Sequence, residues 1–215
     1  RAATLAEERG GADNLALAAR ALNAVAYFEP DRKKAQATAK KAQDYAEAAL
    51  AIDPAHVESR LQAAIAMAVR GSTMAPVRAF FLRLPTRSRR HIDGALALDD
   101  ANAWALSTSA AWRLEVARRG GGGVYGADPS EGYGEFLRAR ALDPENLVIA
   151  YECALRLLAS GRDEWRMTAL DALSASVDAQ PANAFEAKIK GRAVRLAAAV
   201  EAGRDAEAAF IEAQR

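Results

Sequence analysis

Lys188, Arg192 and Arg195 stand at i, i+4 and i+7, a spacing that puts three cations on one side of a helix. Groups so arranged suit a carboxylate-bearing peptide or another anion, and they equally make an ordinary solvated helix face. Arg83, Arg87, Arg89, Arg90 and His91 form the densest basic cluster. That cluster suits phosphates or an acidic partner, but no aromatic residues interleave with it and Asp93, Asp99 and Asp100 follow closely, which speaks against a nucleic-acid platform. Gly120 to Gly123, followed by Val124-Tyr125-Gly126, has the glycine content of a phosphate-cradling loop. No Lys-Ser or Lys-Thr follows and no strand precedes it, so a flexible insertion is expected, with Tyr125 available to a partner.

Neither His56 nor His91 has a cysteine, second histidine or carboxylate at a ligand spacing, and no serine, cysteine or threonine has a recognisable base partner along the chain. No catalytic residue, cofactor-binding residue or metal ligand is therefore assigned. Cys153, the single cysteine, excludes an internal disulfide framework and a multi-cysteine zinc site. Its place inside the apolar run Ile149 to Leu158 reads as a buried thiol.

The elements that must position these groups follow from composition and spacing. In 215 residues, 51% are hydrophobic, enough to bury a substantial core. The 29 basic and 28 acidic residues leave a net charge of +1, so no global field draws the chain to nucleic acid or to an anionic membrane. Any charge-based function must be local. No apolar run approaches the roughly 20 residues needed to cross a bilayer. A chain that begins at Arg1 rather than Met is expected to have lost upstream residues, which leaves room for a secretory signal or lipid anchor. Compartment stays open, as does oligomeric state.

Ala35, Ala39, Ala42, Ala46, Ala49 and Leu50 recur at three and four residues, one face of a helix over 33–52. Similar runs predict helices over about 12–28, 55–70, 101–119, 129–142, 145–160, 163–179, 182–202 and 204–214. The chain reads as all α. A second regularity pairs a turn residue with a small residue ten positions on: Pro54 with Ala64, Asp100 with Ala110, Pro144 with Ala154, and Pro181 with Gly191. A fixed offset of this kind implies one helical unit used repeatedly, with a neighbouring helix approaching closely at the small residue. The turn residues are 46, 44 and 37 apart. Insertions explain the longer intervals: a short helical piece in Ser72 to Leu84 before Pro85, with a new helix from near Thr86, and the glycine run Gly120 to Pro129.

The segments Ala49-Leu-Ala-Ile-Asp-Pro54, Ala95-Leu-Ala-Leu-Asp-Asp100 and Ala139-Arg-Ala-Leu-Asp-Pro144 resemble the end of the second helix of a tetratricopeptide repeat. Ala49, Ala95 and Ala139 match its small residue before the turn, Phe136 its aromatic, and Ala64, Ala110, Ala154 and Gly191 its Gly or Ala after the turn. Asp100 in place of proline and Ser176 in place of alanine depart from the pattern. The resemblance covers about 31–202, with N-terminal helices in 1–30 and a C-terminal helix in 203–215. It implies one domain over 1–215, a right-handed superhelix of stacked antiparallel helix pairs with a concave groove lined by first helices.

Groove positions implied by the resemblance include Leu61, Trp104, Tyr151 and Phe185 as contact area, with Lys188, Arg192 and Arg195 fixing charge preference. The family's chaperone-tail clamp is not reproduced, because Leu61, Ile65, Ser107 and Ala111 occupy its early positions. The expected function is a noncatalytic scaffold for a protein or peptide partner. Trp112-Arg-Leu-Glu-Val-Ala-Arg-Arg119 with the glycine loop, and Gly132-Tyr-Gly-Glu-Phe136, are also similar to divergent bacterial repeat proteins such as the periplasmic T-component of TRAP-type solute transporters. That likeness implies the alternative of an accessory protein handling a small apolar ligand beside a solute-binding protein.

Overall fold

In the computed structural model, residues 11–214 are described and every regular element among them is a helix. Calls that fall on residues 1–10 lie outside the described residues. In chain order the α-helices are α1 (Ala12–Phe28), α2 (Arg32–Ile52), α3 (Val57–Ser72), α4 (Pro76–Phe81), α5 (Leu84–Leu98), α6 (Ala103–Arg118), α7 (Gly122–Tyr125), α8 (Pro129–Leu142), α9 (Leu147–Ala159), α10 (Arg166–Asp178), α11 (Ala184–Glu201) and α12 (Arg204–Ala213). A single 3-10 turn, Asp163–Trp165, leads into α10.

One local device sets most of the boundaries. Asp53, Asp99 and Asp143 close their helices by donating their backbone N–H to the carbonyls of Ala49, Ala95 and Ala139. Three residues later His56, Asn102 and Asn146 cap the next helix, each side chain accepting from backbone N–H groups of the first turn. Pro54 and Pro144 lie in the turn between these caps, so α3 and α9 begin two residues later than their prolines suggest.

Where the resemblance implies one domain, contacts divide the chain into two compact units, one ending at Asp100 and the other beginning at Ala101. In the first unit α2 packs along both α1 and α3, α1 also meets α3, and α5 pairs with α3. In the second, α6 pairs with α8, α9 with α10 and α11 with α12, while the first helices meet directly, α6 against α9 and α9 against α11.

Small residues spaced by seven on each second helix make these approaches close. Ala42 and Ala49 lie on α2, Ser88 and Ala95 on α5, Gly132 and Ala139 on α8, and Ala169 and Ser176 on α10; all eight are buried. The Ser88 hydroxyl donates to the Ala64 carbonyl at 3.2 Å. A Cβ built on Gly132 would stand 3.2 Å from the Ala110 carbonyl, and the Ser176 hydroxyl donates to the Leu147 carbonyl at 3.1 Å. Each added atom at these crossings must therefore fit a backbone oxygen.

Ala64, Ala110 and Ala154 are fully buried, as the offset requires of a close contact. Gly191 is different: a Cβ there would meet only the Arg195 guanidinium at 3.7 Å, so no helix crowds it. The glycine run is also corrected. It forms the ordered turn α7, which Gly120 and Gly126 enter and leave with positive φ, and whose Tyr125 ring folds back over Gly121.

Candidate functional site

The second unit carries a polar network that joins two first helices, α6 and α9. On α6, Glu115 accepts from Arg118 at 2.6 Å and from Arg119 at 2.5 Å, and it pairs across to Arg156 of α9 at 3.2 Å. Arg156 also pairs with Glu152 one turn back at 3.2 Å. Burial alone would raise the Glu115 carboxyl, but the Arg118 hydrogen bond and the charges of Arg156, Arg119 and Arg118 outweigh it and hold the group at about 2. Glu115 is thus a fixed anion among guanidinium groups.

Beside this network lies Tyr151, fully buried on α9, its hydroxyl without a hydrogen-bond partner. Burial pushes the phenol well above its usual range and Glu152 adds to the rise, while Arg192, Arg156 and Arg195 pull the other way. The group therefore stays a neutral O–H donor. Three cations from two helices, Arg156 on α9 with Arg192 and Arg195 on α11, act on this one hydroxyl.

The residues expected to bind a partner separate into two groups. Leu61 is 2% exposed and Tyr151 0%, so neither offers surface, and their assignment as contact area is corrected. The physical reason is plain for α9: ten of its thirteen residues are buried because helices pack on several sides of it, which leaves no apolar groove face. Trp104, Tyr125, Phe185 and Arg192 are half-buried, and Lys188 and Arg195 are exposed. Phe185, Lys188, Arg192 and Arg195 share α11; Trp104 lies on α6 and Tyr125 on α7. Trp112 and Trp165 are core, Trp165 stacking on Tyr133 at 5.1 Å.

Glu115, Glu152 and Arg156 were not singled out in the sequence, although Glu115 with Arg118 and Arg119, and Glu152 with Arg156, have the i, i+3 and i, i+4 spacing of helical ion pairs. What spacing within one helix cannot reveal is the bond between α6 and α9.

The first unit brings together a trio that local spacing concealed. His56 Nδ1 lies 2.8 Å from the Ser59 hydroxyl and accepts from the Ser59 N–H at 3.1 Å, while Nε2 meets Asp13 at 2.9 Å. A serine does have a base partner here, contrary to the reading of the chain alone. Ser59 is nevertheless 0% exposed, so no electrophile reaches its oxygen, and the trio acts as the cap of α3. Among the described residues no group of three or more His, Cys, Asp and Glu side chains converges as a metal site. No helix among them is long and apolar enough to cross a membrane.

Comparison with protein-family models gives no match to the chain, and comparison with curated proteins gives no significant similarity.

Proposed function

We propose that this chain is a noncatalytic scaffold of stacked antiparallel helix pairs, of the tetratricopeptide-like kind, that binds an acidic protein segment on the α11 side of its second unit. The observation that carries the reading is the presentation of Arg195, exposed, and Arg192, half-buried, one turn apart on α11. Lys188 and Phe185 on the same helix supply a further cation and an aromatic edge for a peptide chain. Direct first-helix contacts, α1 with α3, α6 with α9, and α9 with α11, support the stacked-pair reading within each unit.

The test is a peptide array of acidic and neutral sequences probed with the wild-type protein, Arg192→Glu/Arg195→Glu, and Tyr151→Phe. Preference for acidic peptides, lost in the arginine variant and kept in Tyr151→Phe, is the expected result. Tyr151→Phe removes only an unsatisfied hydroxyl, so its thermal stability should equal or exceed that of the wild type. Equal retention of acidic peptides by all three proteins would refute the assignment.

A further inference from the structure

The charge balance of the chain is uneven. From Ser59 to Ile92 there are seven arginines and no aspartate or glutamate, although the whole chain carries only +1. The remainder therefore holds six more acids than bases. In the middle of this acid-free stretch sits α4, and there the usual burial is reversed: Val77 is 67% exposed, Phe80 55%, Phe81 78% and Leu82 39%. Ala79 faces inward, joining Met67 and Leu84 in a small core.

The geometry of the insertion keeps its apolar side chains outside. Leu82 N–H donates to the Arg78 carbonyl at 3.1 Å and Arg83 N–H to Phe80 at 2.8 Å, closing the turn. Arg83 then takes φ 53, the one positive φ of a non-glycine residue among those described, which turns the chain sharply into α5. Because the inward position of α4 is taken by the small Ala79, the bulky residues beside it have no room on the core side. Phe80 and Phe81 touch each other edge to face at 5.9 Å.

We infer that α4 is an interfacial anchor, inserting Phe80, Phe81, Val77 and Leu82 among the acyl chains of an anionic bilayer surface while Arg78 and Arg83 meet its headgroups. Four exposed apolar side chains on one short insertion form a patch of the kind that marks an interaction site. The charge decides which occupant fits. Arg87 and Arg89 are held by Glu47 at 2.8 Å and Asp93 at 2.6 Å, whereas Arg78 and Arg83 stand exposed on the insertion itself. A second copy meeting this face symmetrically would set exposed Arg78 and Arg83 against the same arginines of its partner, which like charge opposes. An anionic lipid surface satisfies both features, aromatic tips for the interface and cations for the headgroups.

Flotation of the whole protein with vesicles of phosphatidylcholine alone, or with about one third phosphatidylglycerol, tests the inference. Binding to the anionic vesicles at least roughly tenfold stronger than to neutral ones is expected, weakening as salt rises. Phe80→Ser/Phe81→Ser and Arg78→Glu/Arg83→Glu should each lose most of that binding while keeping the wild-type melting temperature, since the altered side chains are exposed. Three results would overturn it: no flotation with either vesicle, undiminished flotation of both variants, or vesicle-independent self-association that the phenylalanine variant abolishes.

Discussion

The two units bury their helices by different means. In the first, α1 and α2 are held together largely by alanines, with Ala16, Ala18, Ala19, Ala35, Ala39 and Ala42 all buried. Polar side chains bridge what the small ones leave open: Asn23 donates to the Gln62 backbone carbonyl at 2.9 Å and side-chain carbonyl at 2.8 Å, and Arg70 reaches Gln43. The second unit is organised around α9, whose Leu147, Ile149, Tyr151, Leu155, Leu157 and Leu158 are all buried, with Phe136, Trp165 and Ile189 buried on neighbouring helices. Alanines and polar bridges close the first unit and bulk around α9 fills the second, while close helix crossings occur in both. Removing bulk should therefore tell most in the second unit, and adding volume at a crossing should tell in either.

The largest effect should come from truncating the bulk. Phe136→Ala removes a fully buried ring in the second unit and should cost about 3–5 kcal/mol in urea denaturation. A cost below about 1 kcal/mol would show that bulk is not what holds this unit. Overpacking should come next. Ala42→Leu in the first unit, and Ala110→Leu or Ala154→Leu in the second, should each cost about 1–3 kcal/mol, read as a lower melting temperature. Ala110 is the sharpest case, because Gly132 already lies against its carbonyl. Unchanged melting in all three would mean that the helix crossings have slack.

Acid should separate the units by where each begins to lose stability. Burial lowers the pKa of His91 in the first unit, Glu47 opposing and Arg60, Arg87 and Arg90 assisting, so the folded state takes up a proton less readily than the unfolded chain. Stability from that site should fall as pH drops below about 6.5. Glu115 in the second unit is held near 2 against an ordinary value of 4.5, so its contribution is complete above pH 4.5 and lost between there and about 2. After screening, that contribution is on the order of 1–2 kcal/mol. Fluorescence-monitored stability of His91→Gln and Glu115→Gln across pH should flatten the upper and lower windows respectively. A Glu115→Gln curve that parallels the wild type down to pH 2 would remove the network from the account of acid sensitivity.

Much of the fold was legible because its punctuation is local. Aspartate C-caps, prolines and the three-and-four spacing of alanines act within a few residues, and the observed helices follow them closely. The small residues ten positions after the turns were also readable, save Gly191, where no helix arrives to use the space. Of the seven-residue stripe of second helices, Ala49, Ala95, Ala139 and Ser176 are legible from the turns that follow them, whereas Ala42, Ser88, Gly132 and Ala169 share only smallness. The site was less legible. Leu61 and Tyr151 took groove positions by register alone, and register along one helix says nothing about how many neighbours surround it. Likewise the Glu115 to Arg156 bridge joins residues 41 apart, a juxtaposition only packing creates.

Cys153 gives the second unit a reporter that needs no engineering. The thiol is wholly enclosed by α9 and its neighbours, and burial pushes it up to about 12, with Asp171 adding to the rise and Arg140 opposing it. In the closed state it is both unreachable and un-ionised, so a thiol-reactive dye can attach only during excursions that open the helix. Since the chain has no other cysteine, the rate at which dye is incorporated under native conditions is a clock for those excursions.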